Sequence, residues 1–366
     1  MNKKINKIVI ATGGTGGHVF PAYSLAKHFM EKKIDVKVVI DKRGLKYLTT
    51  DHDLKVTQIP STTIYKKNIF KLILSIIITF YALIRAFFFL MNNRPNLVFG
   101  MGGYSSFPIC IAAKILKIPF IIYENNLYIG KANRYLLPYA KKIFVSFKEL
   151  EGVSEKYKKK VCQIGNIIRK EFLSIYLESN SSIDDKKIKI LILGGSQAAK
   201  VFAEKLPQIF KECNDKEIPL KIYQQCLPDQ NNYLTAFYKE SNIDFEIFNF
   251  TNNIQEYFSK INLAITRSGS SVLAELVNAK IPFISVPLPT SADNHQLKNA
   301  IFYEKNQYSY LIEEKHLSEK LFKLIKKINE DKALLGQIIN KQKQYSDKLV
   351  YENIDKQMKN ITDEEH

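Results

Sequence analysis

Ile8-Val9-Ile10-Ala11-Thr12-Gly13-Gly14-Thr15-Gly16-Gly17-His18 joins an apolar run to a glycine turn, and a helical pattern follows from Pro21 to Met30. The stretch reads as strand, turn and helix start. Glycine lets a backbone take positive φ and approach a ligand closely, and the first amides of a helix point donors and the positive dipole end at an anion. The corner therefore suits phosphate. Its glycines come as two pairs around one threonine, which is not the G-x-G-x-x-G register of a dinucleotide site. His18 is the one titratable side chain within it.

Ten strand-like segments, this first one included, set the architecture. Strand-like runs at Ile8 to Ala11, Val36 to Ile40, Leu97 to Gly100, Pro119 to Tyr123 and Lys142 to Ser146 alternate with helical patterns. After a less regular region from Lys148 to Asp185, the alternation resumes at Ile188 to Leu193, Leu220 to Gln224, Phe245 to Phe248, Leu263 to Thr266 and Pro282 to Pro287. Such alternation means βαβ units and parallel sheets. The expected fold is α/β, with two doubly wound Rossmann-like domains facing a central cleft. The expected limits are 1–165 and 166–340, with a C-terminal helix at 341–366 packing back on the first domain.

Three more glycine turns follow strands and precede helices: Gly100-Met101-Gly102-Gly103-Tyr104-Ser105-Ser106, Gly194-Gly195-Ser196-Gln197 and Arg267-Ser268-Gly269-Ser270-Ser271. Doubly wound sheets bind ligands beyond the carboxyl ends of their strands, so four such turns point to a phosphate-bearing ligand.

Charge separates the two halves. The 366 residues carry a net charge of +18, and only six of the 54 basic residues are arginine. Up to Gly165 there are 27 basic and 9 acidic residues; after it there are 27 of each. An anionic partner of the first half, a lipid surface or a phosphorylated substrate, accounts for this better than solubility does. Lysine-dominated charge argues against nucleic acid, which favours arginine forks. The four cysteines have no zinc spacing and read as reduced cytosolic thiols, and the short apolar run after Met1 is no signal peptide, so an unprocessed cytoplasmic chain is expected.

From Ile69 to Met91 only Lys71 and Arg85 are charged. On a helix, Lys71, Ser75, Thr79, Ala82 and Arg85 form one narrow seam with apolar residues elsewhere. A core helix explains one such face but not Phe87-Phe88-Phe89 with Leu90 and Met91, nor the flanking Tyr65, Lys66, Lys67 and Arg94. Peripheral contact with an anionic membrane ranks first, a core helix second and a spanning helix last.

Taken together, GGTGGH with Val19-Phe20-Pro21-Ala22, GMGGYSS with Phe107-Pro108, Tyr123-Glu124-Asn125-Asn126, Gly165-Asn166 with Arg169, GGSQ, TRSG with Glu275, and Asn294-His295-Gln296 resemble the MurG family. These GT-B enzymes transfer N-acetylglucosamine from its UDP ester to undecaprenyl-diphospho-N-acetylmuramoyl-pentapeptide at the cytoplasmic face of the bacterial inner membrane, as peripheral proteins. The resemblance implies acceptor binding by the first domain and donor binding mainly by the second. It assigns Gly13, Gly14, Gly102, Gly103, Tyr104 and Ser105 to the acceptor diphosphate. It assigns Thr15, Gly16, Gly17, Asn126, Arg169, Ser196, Thr251, Ser270, Ser271, Val272, Leu273, Ala274, Glu275, Gln296 and Asn299 to UDP-N-acetylglucosamine. Glu275 suits the ribose hydroxyls, and Thr251 offers its backbone to uracil. Departures are Ala198 in place of a glycine, which requires a right-handed or slightly shifted backbone, Tyr123 for His, Asn125 for Gln, and Gln224-Gln225-Cys226-Leu227-Pro228.

An α-linked donor giving a β linkage implies one in-line displacement. His18, at a helix N-terminus that disfavours imidazolium, is the candidate base; the alternative is a histidine that only closes the turn. No metal or cofactor is expected. Asp51-His52-Asp53 has a DxD form but lies off any convincing strand end, and the helix start at Ser268 to Ser271 can carry the leaving charge. The rivals are a Rossmann oxidoreductase using Asp41 on ribose, a UDP-N-acetylglucosamine epimerase, and a non-catalytic sugar-nucleotide binder.

Overall fold

The computed structural model describes residues 5–48, 53–62, 68–174, 187–249, 251 and 253–363, with side chains outside 174, 195–199 and 362–363. Asp51, His52, Tyr65, Lys66, Lys67, the Ser179 to Ser182 stretch and the Ser196 side chain lie outside the described residues.

The chain forms two compact units, Met1–Arg169 with Asp347–His366, and Lys170–Ser346. In the first, β1 (Lys7–Ala11), β2 (Asp35–Ile40), β3 (Lys55–Gln58), β4 (Leu97–Gly100), β5 (Phe120–Glu124), β6 (Lys142–Val145) and β7 (Val161–Gln163) lie in the order β3-β2-β1-β4-β5-β6-β7. In the second, β8 (Ile188–Leu193), β9 (Leu220–Gln225), β10 (Asp244–Phe248), β11 (Leu263–Thr266), β12 (Phe283–Ser285) and β13 (Tyr310–Leu311) lie in the order β10-β9-β8-β11-β12-β13. All these pairings are parallel.

Burial explains the central strands. Ile8, Val9 and Ile10, like Ile190, Leu191 and Ile192, are wholly buried, as strands covered by helices on both faces must be. Each sheet reverses its order beside its first strand. There β1 pairs with β4 so that Ala11 lies level with Gly100, and β8 pairs with β11 so that Leu193 lies level with Thr266. The four glycine turns leave the sheets from these level ends, where doubly wound folds bind ligands.

The helix Ile69–Asn93 corrects one reading. Asn68 caps it by accepting from the Lys71 amide at 3.0 Å. Of its residues only Ser75, Ala82, Ala86 and Leu90 are buried, and the last three share a cluster with Ile109, Ala112 and Ala113 of the helix Gly103–Ile115. Small residues allow that close approach. Ser75 and Ala82 of the expected seam therefore face inward, with the Ser75 and Thr79 hydroxyls donating to carbonyls of their own helix, while Lys71 and Arg85 are exposed. Phe70 is 80% and Phe80 63% exposed, so this is no core helix.

The C-terminal helix Val350–Asp363 belongs to the first unit. The buried Asp347 accepts from the Asn166 amide at 2.9 Å and its side-chain amide at 3.2 Å, and the Tyr351 hydroxyl donates to Ile168 O at 2.7 Å. His28, on the helix Gly16–Glu31, meets Asp355 at 3.0 Å. Gly165 has φ 98°, and a Cβ there would come within 2.7 Å of the Asp347 carboxylate. Asp347→Ala strands the buried Asn166 amide, and we expect a loss of about 1–3 kcal/mol, read from the denaturant midpoint. An unshifted midpoint would show that this clasp contributes nothing.

Candidate active site

Two glycine turns of the first unit interlock around His18. Gly13 and Gly14 have φ of 149° and 80°, and Gly102 and Gly103 have 84° and 73°, all in the region that favours glycine. A Cβ on Gly102 would lie 3.1 Å from His18 Cε1, and one on Gly103 would lie 3.3 Å from His18 Cδ2. The imidazole thus lies along the second turn. A Cβ on Gly13 would lie 2.7 Å from the Oγ of Ser105, a buried side chain of that turn. The Thr12 hydroxyl donates to His18 O at 2.8 Å, which fixes the helix start.

Asp41, just after β2, holds the first turn from behind. Its Oδ1 accepts from the amides of Gly14 and Gly44, each at 2.8 Å; its Oδ2 accepts from Ser61 Oγ at 2.7 Å and from Arg43 Nε and Nη2 at 3.0 and 2.8 Å. Burial alone pushes its carboxyl up, but these donors outweigh burial and hold it below the usual carboxylate range. With both oxygens occupied, Asp41 has no edge to offer a ribose. The Gly14 amide is likewise committed to Asp41, which holds the bend of the turn in place where Thr15 leads into the helix.

The Tyr123 to Asn126 segment reaches the same corner. Buried Glu124 accepts from the Asn126 amide and side chain at 3.2 and 2.9 Å, and from Gly130 N and Asn133 Nδ2 at 2.9 Å each. Asn125 Nδ2 donates to Gly17 O at 2.9 Å, tying this loop to the first turn. The Arg169 guanidinium sits 5.2 Å over the Phe20 ring, which also packs on Gly16.

In the second unit, Gly269 with φ −68° precedes the helix Ser270–Asn278, so this turn needs no positive φ. Leu273 and Ala274 are wholly buried, which leaves them backbone roles only. Glu275 is 6% exposed, one turn inside the helix. Asn299 is buried behind the turn and donates to Ser268 O at 3.2 Å. Gln296 Oε1 accepts from Leu288 N at 2.9 Å, and Thr251 Oγ1 accepts from Asn253 N at 3.0 Å. Arg267 braces the turn: it donates to Val286 O and Pro287 O at 3.3 Å each and to Glu314 at 2.5 Å.

The patterns that define the Glycosyltransferase family 28 N-terminal and C-terminal domains match residues 8–145 and 189–358. A Pelagibacter ubique protein named UDP-N-acetylglucosamine--N-acetylmuramyl-(pentapeptide) pyrophosphoryl-undecaprenol N-acetylglucosamine transferase is 36% identical over 92% of each chain. The chain belongs to the MurG family. A Rickettsia canadensis relative of the same name is 34% identical over 86% of this chain and 88% of its own. Among solved structures, Acinetobacter baumannii MurG has a TM-score of 0.74 at 25% identity, covering 95% of this chain and 98% of its own. A UDP-N-acetylglucosamine 2-epimerase shares the fold, with a TM-score of 0.64 at 15% identity over 96% and 94% of the chains.

The departures from the family pattern have structural uses. The buried Tyr123 hydroxyl shares a hydrogen bond with Ser146 at 3.0 Å and accepts from Ile167 N at 3.0 Å; burial pushes this phenol up. Ala198 lies in the helix Gly195–Asp215, so its backbone is right-handed. Gln224 is buried and accepts from the Tyr238 hydroxyl at 2.5 Å. The residues that sequence reasoning missed are supports: Asp41 in this role, Arg43, Ser61 and Asn133, and Phe20 as the ring beneath Arg169. Phe20 stands within a quoted motif and Asp41 is weighed only as a ribose ligand; nothing in the sequence signals the others.

Asp41 gives a pH signature. A carboxyl held below its unfolded value contributes stability that is present above about pH 4 and lost as pH falls through the lowered folded value. Asp41→Asn should therefore lower stability at pH 7 and flatten the acid side of the stability curve; parallel curves for variant and parent would contradict the assignment.

Proposed function

We propose that this chain transfers N-acetylglucosamine from UDP-N-acetylglucosamine to the N-acetylmuramoyl unit of undecaprenyl-diphosphate-linked pentapeptide, in the synthesis of peptidoglycan precursors, with inversion at the sugar. Identity of 36% over 92% of the chain to a relative named for that transfer supports it, and 15% to an epimerase of the same fold weighs against the rival.

The observation that carries the chemistry is the His18 ring lying along Gly102 and Gly103 at the head of its own helix. In this reading the two glycine turns of the first unit take the acceptor diphosphate and bring its hydroxyl to His18. The hydroxyl oxygen bonds to the anomeric carbon as the bond from that carbon to the donor diphosphate breaks. The electron pair leaves with UDP, and the hydroxyl proton passes to His18. The start of the Ser270–Asn278 helix meets the leaving charge with the positive end of its dipole, and Glu275 takes the ribose hydroxyls. Asn126, held by Glu124, and Arg169, lying over Phe20, are the first unit's candidates for a donor contact.

The enzyme works as a peripheral protein at the cytoplasmic face of the inner membrane. Support comes from Phe70, Ile73, Ile77, Phe80 and Phe88, all at least half exposed, on a helix that leaves and rejoins one sheet between β3 and β4. The net charge of the first half complements an anionic leaflet.

Labelled donor and lipid acceptor test both parts. His18→Ala should lower turnover by about a hundredfold or more with UDP-sugar binding retained; near-normal turnover removes His18 as base. Replacing Ile73, Ile77 and Phe80 together by serine should weaken sedimentation with anionic vesicles while leaving the melting temperature in place, since these side chains face solvent. Undiminished vesicle binding would refute the membrane role of this helix.

A further inference from the structure

We propose that Arg43 binds a phosphate oxygen of the lipid-linked diphosphate, with Asp41 as the residue that positions it. The inference rests on the reading of Gly13 and Gly14 as part of the acceptor's diphosphate corner. Arg43 Nη2 comes within 3.9 Å of where a Cβ on Gly14 would stand, so the guanidinium borders the turn. Its Nε and Nη2 edge is fixed, donating to Asp41 Oδ2 at 3.0 and 2.8 Å and, from Nη2, to Ser61 Oγ at 3.2 Å. Nη1 makes no protein hydrogen bond among the described residues, and the side chain is 49% exposed.

A guanidinium clamped along one edge presents its other edge in a set direction. The clamp does not turn the corner negative. Asp41 is 2% exposed and its oxygens already accept from two backbone amides and the Ser61 hydroxyl, so an arriving anion meets donors rather than the carboxylate. Ser105 supplies a second, independent sign of a ligand. Its Oγ is buried without a partner among the described residues, and it approaches the same Gly13 position that Asp41 approaches, at 2.7 and 2.6 Å. Composition adds a third. Lysine serves for most of the 54 basic residues of the chain, yet the position bordering this turn is one of only six arginines. A position that needed solvated charge alone would accept lysine; a fork held by a carboxylate would not.

Steady-state kinetics on the full chain, with acceptor and donor varied separately, test this. Arg43→Ala should raise the acceptor KM about tenfold or more, the loss of a charge-assisted hydrogen bond, and leave the donor KM within twofold. Arg43→Lys should recover only part of that loss, because it restores charge without the fork. Ser105→Ala tests the underlying reading. If Ser105→Ala raises the acceptor KM and Arg43→Ala does not, the role of Arg43 falls while the corner stands. If neither raises it, the corner is not the acceptor site and both readings fall. A rise in donor KM alone, or a fall in kcat alone, also overturns the proposal. Should Arg43→Ala not fold, Arg43→Lys decides on acceptor KM alone, a rise of about threefold or more supporting the proposal and no rise overturning it.

Discussion

A parallel strand cannot return to its neighbour through a tight turn, so each strand of these sheets is followed by a crossover that carries the chain back along one face. Where strand order reverses, the crossovers that follow the two adjacent central strands leave on opposite faces, and the carboxyl ends of those strands are left uncovered. Ala11 level with Gly100, and Leu193 level with Thr266, are those places here. The glycine-turn candidates gather there because at these ends a helix N-terminus follows directly on a central strand and faces the crevice that the reversal opens. The chemistry of both units follows from this one constraint.

Filling that space differs between the units. In the first, the backbone itself is bent into positive φ at four glycines, and the bend is stabilised from behind by Asp41, whose ionised carboxylate accepts from the amides of Gly14 and Gly44. In the second, Gly269 keeps an ordinary φ before the start of the helix Ser270–Asn278, a turn braced by Arg267 and Asn299. A bent turn offers a narrower, more specific set of donors than a helix start does. That contrast fits the proposed division, in which the first unit takes the lipid-linked diphosphate and the second the nucleotide.

The central strands were legible because burial on both faces writes them as unbroken apolar runs such as Ile188 to Leu193. The strands that escaped reading, β3, β7 and β13, are all at sheet edges. An edge strand is half solvated, so Lys55-Val56-Thr57-Gln58 carries neither an apolar run nor a clean alternation. The candidate site divides in the same way. Glycines, His18 and Glu275 stand in contiguous motifs, and so they can be found along the chain. Asp41 holds the Gly14 amide 27 residues away and Asn133 the Tyr123 carbonyl 10 residues away, while Ser61 holds Asp41 across 20 residues and Arg43 braces it locally. Their function is a distance in space, and no local pattern encodes it.

The helix Ile69–Asn93 shows how the two kinds of demand meet in one element. Its inner stripe is Ser75, Ala82, Ala86 and Leu90, mostly small, and it packs beside Ile109, Ala112 and Ala113 of the helix that begins at Gly103. That second helix is the one whose first residues form the turn against His18. The outer surface, from Ile69 to Met91, is apolar and solvent-facing. Small residues on the inside set the two helices close, so a load on the outer face passes through packed side chains to the body of the helix that carries Gly103, Tyr104 and Ser105. A large residue at Ala82 or Ala86 would separate the greasy face from the turn it supports without changing either surface, which makes these two alanines the narrowest link between the outer patch and the candidate acceptor site.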